Sequence, residues 1–161
     1  MRIAISLVLL SLAACSSEPN EAERKAAVAE VEANQEAPAE VLEPRPILYP
    51  DIEKNGLYGA GCSFAPDGGG LGAVALAMAD EGYMKRGEEI LQFAADKGSD
   101  ELPYLARRKY DGKDYSFSLD LDRDSEAPSG EETSDYSGTL TVRDGKDRVV
   151  YSATGIVQCG A

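Results

Sequence analysis

The sequence predicts an all-β domain, a small antiparallel barrel or curved meander of about seven strands. Three observations predict this fold. From residue 51 onward, short apolar runs alternate with polar residues at a period of two, which is typical of strands with one buried face. Turns that contain glycine separate the runs. Cys62 and Cys159 lie near the two ends of this region, where a bond between them would tie the ends together.

The first four apolar runs are short, and each has the pattern of a strand. They cover residues 57–64, 73–79, 83–86 and 89–95. Two glycines loosen the first run, and the second alternates Val74, Leu76 and Met78 with alanines. In the fourth run Leu91 and Phe93 share a face, since side chains two residues apart in a strand point the same way.

Two hairpins follow in the second half of the domain. The first joins residues 106–110 to 114–122 through Asp111-Gly112-Lys113, and the second joins residues 136–142 to 149–157 through Asp144-Gly145-Lys146. Glycine accepts the positive φ that such turns require. The alternation assigns to the inward face Tyr115, Phe117, Leu119 and Leu121 of the first hairpin, and Val149, Tyr151, Ala153, Gly155, Val157 and Cys159 of the second. Residues 123–134 are expected to form a polar loop.

The first fifteen residues have the layout of a secretory signal peptide. Arg2 precedes the apolar run 3–10, which is followed by Leu12-Ala13-Ala14-Cys15. The run is too short for a membrane-spanning helix, which needs about 20 apolar residues. Leu12-Ala13-Ala14-Cys15 resembles the lipobox of bacterial lipoproteins, and this resemblance implies cleavage before Cys15 and lipidation of that cysteine. An ordinary signal peptide with a chance cysteine after the cut is the alternative.

The resemblance also implies a location. Two or three acyl chains on Cys15 would anchor the protein stably, and Ser16 is compatible with transfer of a Gram-negative lipoprotein to the outer membrane. We therefore expect a lipid-anchored protein on the periplasmic face of the outer membrane. Residues 16–50 are rich in Ala, Glu and Pro and predict a flexible tether, in which residues 21–35 contain good helix formers. The β domain is expected to cover residues 51–161.

The remaining cysteines predict a disulfide. Once Cys15 carries the lipid, Cys62 and Cys159 are an even pair in an oxidising compartment. Their bond would tie the first strand of the domain to its last residues, which favours a closed barrel. Two buried free thiols are the alternative to the disulfide, and a two-sheet sandwich is the alternative to the barrel.

Composition restricts the classes of function. The formal net charge is −13, so nucleic acid and anionic lipid head groups would repel the chain, and membrane association must come from the acyl chains. The chain has no His, the residue type that most often serves as a general base or a transition-metal ligand. No nucleophile motif is recognisable. We therefore expect a protein that is not an enzyme, has no cofactor and does not bind nucleic acid.

Two clusters of charge are candidate sites. Arg107-Arg108-Lys109 is a dense basic run that could receive an anion or an acidic partner, although such runs more often pair with neighbouring acids on a sheet surface. Asp120, Asp122 and Asp124 with Glu131 resemble the ligand spacing of a calcium loop. The sixth position of that loop is a serine where glycine is required, so a solvated strand end is the preferred interpretation and no metal site is assigned.

Three functions are compatible with these features. The first is a non-catalytic binding or structural role in the envelope. The second follows from a resemblance of the whole domain, a lipid-anchored barrel with one disulfide, to the membrane-bound inhibitors of c-type lysozyme, and implies a basic muramidase as partner. Those inhibitors present a loop with Ser and Lys, whereas the corresponding loop here, residues 127–132, lacks the Lys. The third is a carboxylate-based glycan hydrolase, which would need two acids at a working separation in a cleft.

Overall fold

The computed structural model describes residues 20–35, 37–68, 70 and 72–161. The chain divides into two compact units, of which the first ends at Pro38 and the second is Ala39–Ala161. The predicted signal peptide, the lipobox and Cys15 lie outside the described residues. Within the described ranges, no helix has the length and apolar character needed to span a membrane.

The described part of the first unit is a single helix, α1 (Glu21–Gln35). It begins with a reciprocal cap, because Asn20 Oδ1 accepts a hydrogen bond from the Glu23 N–H and the Glu23 carboxylate accepts one from the Asn20 N–H. Lys25 and Glu21 form an ion pair one turn apart. Its apolar residues are Ala and Val, and Val28 and Val31 are exposed, so this helix buries no core of its own.

The second unit is an antiparallel β-barrel. Its elements are β1 (Pro44–Arg45), α2 (Tyr49–Asn55), β2 (Gly61–Pro66), β3 (Ala75–Met78), β4 (Glu81–Arg86), β5 (Glu89–Ala95), β6 (Lys109–Asp111), β7 (Tyr115–Pro128), β8 (Thr133–Asp144) and β9 (Val149–Gly160). The strands pair in the order β4-β3-β2-β9-β8-β7-β6-β5, and β5 pairs with β4 to close the barrel. β1 lies outside this ring. It pairs with Lys85 and Arg86 at the end of β4, next to the part of β4 that pairs with β3. The all-β barrel prediction is confirmed, and the two-sheet sandwich is not observed.

Aromatic rings fill the barrel interior between β5, β6 and β7. The ring centroids of Phe93 and Phe117 are 5.0 Å apart in an edge-to-face arrangement, and those of Tyr110 and Phe117 are 4.7 Å apart and stacked. Gly82 on β4 lies against the same rings, where an added Cβ would be 2.7 Å from atoms of both Tyr110 and Phe117. Glycine at this position therefore makes room for the two rings.

The predicted disulfide is present. Cys62 on β2 and Cys159 on β9 are direct partners in the antiparallel register, with Cα atoms 4.0 Å apart. Both side chains are buried, and the bond links residues 97 positions apart in the chain. The first long strand of the barrel is thus bonded to the last, and the alternative of two free thiols is excluded.

The barrel unit begins at Ala39, before the start at residue 51 that the sequence indicates. Leu42 and Ile47 are each only 5% exposed, and their amides donate hydrogen bonds to the carbonyls of Val150 and Ala73. Prolines fix this segment in an extended conformation that suits pairing with β4. Its apolar residues are isolated between these prolines and show no regular spacing, so the sequence pattern does not predict a strand there. Residues 39–50, predicted as tether, therefore pack as part of the domain.

The second predicted strand forms, but its alanines face the interior. Ala75 and Ala77 are each 1% exposed, whereas Leu76 and Met78 point outward. On the outside, these two larger side chains line a cavity of about 240 Å³ together with Ile52 and Leu57 from the segment around α2. Small alanine side chains suit the interior because aromatic rings fill it. On the outside, Leu76 and Met78 are partly covered by the segment around α2.

The prediction that Val149 faces inward is wrong. Val149 is 48% exposed and Val150 is 5% exposed, because the register between β8 and β9 shifts by one residue after the pair Val142–Tyr151. A bulge of this kind reverses the facing of every residue beyond it. From Ala153 to Cys159 the predicted inward row is correct.

Candidate functional site

A long hairpin replaces the polar loop that was predicted at residues 123–134. β7 continues to Pro128 and β8 begins at Thr133, with pairs Ala127–Asp135 and Pro128–Ser134 near the tip. We call residues 122–135 the arm. The sequence shows no apolar alternation beyond Leu121, so the pattern that predicts strands is missing there. None of the arm residues is fully buried, although residues 133–135 pair with β9.

Hydrogen bonds hold the arm to the barrel. The register shifts between Asp122 and Ala127, and Ser125 fills the gap by accepting a hydrogen bond from the Ser137 N–H and donating one to the Asp122 carbonyl. Closer to the tip, the Asp135 carboxylate accepts hydrogen bonds from Ser129 and from Gln158 of β9. The arm is therefore an ordered extension of the sheet.

The arm carries a large excess of negative charge. It contains six acidic residues and one arginine, a net charge of −5: Asp122, Arg123, Asp124, Glu126, Glu131, Glu132 and Asp135. All of these except the half-buried Asp135 are exposed. Burial raises the pKa of Tyr136 above its ordinary value, and a hydrogen bond with Glu126 adds to this effect. Because like charges gather here, the arm produces a strong local negative potential.

A second segment, residues 96–108, covers the same end of the barrel, and we call it the capping loop. Its two sides pair with each other, since the Arg108 N–H donates to the Asp100 carbonyl and the Leu102 N–H donates to the Ala106 carbonyl. Leu102 and Ala106 are buried. The loop is fixed to the core by Tyr110, whose hydroxyl accepts a hydrogen bond from the Arg107 N–H and donates one to the Met78 carbonyl. Burial raises the pKa of Tyr110 to about 12.

The tip of the capping loop is strained and contacts the arm. Tyr104 and Leu105 have φ values of 57° and 64°, in the left-handed region that non-glycine residues rarely adopt. Leu105 is nevertheless 60% exposed. The Tyr104 hydroxyl donates a 2.6 Å hydrogen bond to the Glu132 carbonyl. Strained residues of this kind are concentrated at functional sites, and no sequence pattern marks them.

An open slot separates the capping loop from β7, and we call it the edge slot. It is lined by Asp100, Glu101, Leu102 and Arg108 on the loop side and by Leu119, Asp120, Leu121 and Arg123 on the strand side. Its volume is about 510 Å³. The Arg123 guanidinium crosses the slot and donates a 2.7 Å hydrogen bond to the Glu101 carbonyl. The arm, the strained turn and the slot therefore meet at one end of the barrel.

The predicted basic run does not form a free cationic patch. Arg107 pairs with Glu101 at 3.1 Å, Arg108 pairs with Asp120 at 2.5 Å, and Lys109 pairs with Asp111 at 3.1 Å. Each of the three cations thus has a carboxylate partner, as expected if the run pairs with neighbouring acids on the sheet surface. The hydrogen bond with Asp120 raises the pKa of Arg108, and the one with Asp111 raises the pKa of Lys109.

The aspartates of the suggested calcium loop are also engaged elsewhere. Asp120 binds Arg108, and Asp122 accepts a hydrogen bond from the Asp124 N–H. In the part of the chain that the structure describes, no group of three or more Cys, Asp or Glu residues is arranged to hold a metal ion. The structure therefore does not bring these acids together with Glu131 as ligands.

A glycan hydrolase would need two carboxylates in a cleft, and Glu101 and Asp120 line opposite sides of the edge slot. Each is bound by an arginine of the capping loop, Arg107 and Arg108 respectively. The pair of Arg108 with Asp120 links the capping loop to β7, whereas the pair of Arg107 with Glu101 lies within the loop.

Comparisons with protein-family models, with curated proteins and with solved structures found no match for this chain.

Proposed function

We propose that this chain is a lipid-anchored periplasmic lipoprotein whose barrel is a non-catalytic binding module for a basic protein of the cell envelope. The observation that carries the proposal is the arm, an ordered hairpin with a net charge of −5 at one end of the barrel. The β8 side of the arm pairs with β9, whereas the five acids of its β7 side and tip are exposed, and this concentration of exposed charge favours a role in recognition.

The charge of the arm favours one class of partner. Nucleic acid and anionic lipid head groups would be repelled by it, whereas a protein with a basic surface would be attracted. Association through complementary charges is fast and sensitive to salt, because ions screen exposed charges beyond about 8 Å at physiological ionic strength. The proposed partner is therefore a cationic protein that binds more tightly at low salt.

The anchor is a separate part of the proposal, supported by the lipobox at residues 12–15. Cys15→Ser should prevent incorporation of labelled palmitate. Cys62→Ser with Cys159→Ser is the matched control, since it removes two cysteines that carry no lipid. Palmitate in the Cys15→Ser protein would contradict the anchor without affecting the proposal for the barrel.

The binding proposal is tested by a pull-down from periplasmic and envelope extracts with the mature chain carrying Cys15→Ser. The arm variant replaces four acids: Asp122→Asn, Asp124→Asn, Glu131→Gln and Glu132→Gln. The control variant replaces four exposed acids elsewhere: Glu40→Gln, Glu53→Gln, Glu88→Gln and Asp114→Asn. We expect a basic protein that is retained at low salt by the unmodified chain and by the control variant, and that is lost with the arm variant.

Two results would contradict the proposal. Equal loss of the partner with both variants would show that net charge matters and the arm does not. Retention of no partner at either salt concentration would favour a structural role for the barrel.

The second candidate is an inhibitor-like protein that binds a basic muramidase. One observation favours it, because residues 127–132, which correspond to the presented loop in the resemblance to lysozyme inhibitors, lie at the tip of the arm. Calorimetry with a basic c-type lysozyme at low salt tests it. Binding that the arm variant abolishes would support this candidate, and the absence of heat at low salt would remove it.

A further inference from the structure

The edge of β7 that faces the edge slot is unpaired over part of its length. The ladder between β6 and β7 runs through the pairs Asp111–Ser116, Tyr110–Phe117 and Lys109–Ser118. One more hydrogen bond follows it, from the Leu119 N–H to the Arg108 carbonyl at 2.8 Å. Among the described residues, no strand pairs with this edge of β7 beyond Leu119.

The ladder stops because the capping loop turns away. In a continued antiparallel ladder the Arg108 N–H would donate to Leu119, but it donates to the Asp100 carbonyl instead. Backbone groups of alternate residues point to the same side of a strand, so the Leu121 N–H and carbonyl face the slot, as the Leu119 N–H does. Unpaired strand edges are templates for the addition of another strand.

The side chains beside this edge specify the chemistry of an added strand. On the inner face, the partly exposed Leu121 lines the slot and would contact apolar side chains, while Leu102 is buried. On the outer face, β7 presents Asp120, which is paired with Arg108, and the exposed Asp122, from which the acidic arm continues. Cross-strand neighbours of opposite charge stabilise a sheet. An added strand with alternating apolar and basic residues fits both faces.

We propose that the edge slot binds an extended, basic segment of a partner protein by strand addition to β7. The inference rests on the proposed function, since it assigns a binding mode to the partner that the arm attracts. The Leu121 backbone pairs with the added segment, apolar residues of the segment contact the Leu121 side chain, and its basic residues lie beside Asp122 and the acidic arm. Arg123 must leave the Glu101 carbonyl when the segment enters.

Loss of the Arg123 contact does not require a change in the barrel. Arg123 is exposed, and its hydrogen bond to Glu101 links a flexible side chain to a loop carbonyl. When this contact breaks, the capping loop keeps the backbone hydrogen bonds between its two sides, and Leu102 and Ala106 stay buried. Entry of the segment thus displaces the Arg123 side chain and need not break the ion pair between Arg108 and Asp120.

The experiment uses the mature chain carrying Cys15→Ser and a labelled probe peptide, acetyl-Lys-Val-Lys-Val-Lys-Val-Lys-amide. The matched control peptide has the same sequence with N-methyl groups along its backbone, which keeps the charges and removes the N–H donors. Fluorescence anisotropy at low salt gives both affinities. We expect the N-methylated peptide to bind at least about tenfold more weakly, because main-chain hydrogen bonds supply much of the affinity of an added strand.

A second readout locates the contact. In the NMR spectrum of the labelled protein, hydrogen exchange of the Leu121 amide should slow when the probe is bound and should not change with the N-methylated peptide. Asp122→Asn with Asp124→Asn should weaken the probe several-fold, whereas Glu88→Gln with Asp114→Asn should leave its affinity unchanged.

Three results would overturn strand addition: equal affinities for the two peptides, no slowing of exchange at Leu121, or no binding of the probe at low salt. None of these results would overturn the proposed function, which stands on capture of a basic protein through the arm. Conversely, probe binding by strand addition with no partner captured from extracts would remove the proposed function alone.

Discussion

At the scale of single residues, Gly82 decides how tightly the aromatic cluster packs. An added Cβ would approach Phe117 Cζ and Tyr110 Cδ1 to 2.7 Å, closer than carbon atoms in contact. We predict that Gly82→Ala lowers the free energy of unfolding by about 1–3 kcal/mol, the usual cost of overpacking a core. Urea denaturation monitored by tyrosine fluorescence measures it.

Gly145 provides the matched control for Gly82. It lies in the turn between β8 and β9, and an added Cβ would have nothing within 4 Å. Gly145→Ala should therefore leave the free energy of unfolding nearly unchanged. If the two variants were equally stable, the described packing of the rings against β4 would be incorrect.

Residue-level features differ in how far sequence predicts them. The pairing of Cys62 with Cys159 could be predicted, because the expected export leaves them as an even pair in an oxidising compartment and Cys159 continues an inward row. The left-handed φ of Tyr104 and Leu105 cannot be predicted, because neither residue type favours it and the conformation is imposed by the capping loop. The exposure of Val149 cannot be predicted either, because it results from a bulge in a strand whose sequence pattern is uniform.

At the scale of elements, α2 is held to the barrel by an ion pair. Lys85 on β4 donates hydrogen bonds of 2.8 and 2.9 Å to the two carboxylate oxygens of Asp51, and these side chains are 12% and 19% exposed. The Asp51 carboxylate also accepts a hydrogen bond from the Leu48 N–H. The bond with Lys85, then that with Leu48, holds the pKa of Asp51 below its ordinary value.

The lowered pKa of Asp51 predicts a pH dependence. A carboxylate with a lower pKa in the folded state stabilises the fold above its unfolded pKa, and this stability is lost as the pH falls through the folded value. Asp51→Asn should therefore be less stable than the unmodified protein at pH 7, and the difference should shrink below a pH of about 4. Thermal unfolding from pH 7 to pH 2 measures both.

The exposed turn residue Asp114 supplies the control for this pH series. Asp114→Asn should change stability little at any pH in the series. A difference between Asp51→Asn and the unmodified protein that stayed constant down to pH 2 would contradict the role of the ion pair with Lys85.

The strands that sequence predicts well are those with one buried face. The run 114–122 and the run 89–95 show the expected alternation because each has a core side and a solvent side. The arm could not be predicted, since its sequence shows no apolar alternation, and residues 39–50 could not, since isolated apolar residues between prolines have no period. The inward alanines of β3 were ambiguous because both faces of that strand are partly covered.

At the scale of the whole molecule, the barrel has one end that differs from the other. The arm and the capping loop lie at one end, while the opposite end carries short turns such as the one at Gly145. The candidate site was only partly predictable from sequence. The acidic residues are visible in the sequence, but the basic run predicted as a candidate site is neutralised by neighbouring acids, and the edge slot depends on where the β6–β7 ladder stops.

The most direct test of the central claim, that the arm end receives a basic envelope protein, is site-specific photo-crosslinking in living cells. A benzophenone amino acid replaces Glu131 at the tip of the arm in one strain and Gly145 at the opposite end of the barrel in another. We expect a crosslinked basic protein from position 131 and none from position 145. Crosslinks from position 145 alone, or equal yields from both positions, would contradict the claim.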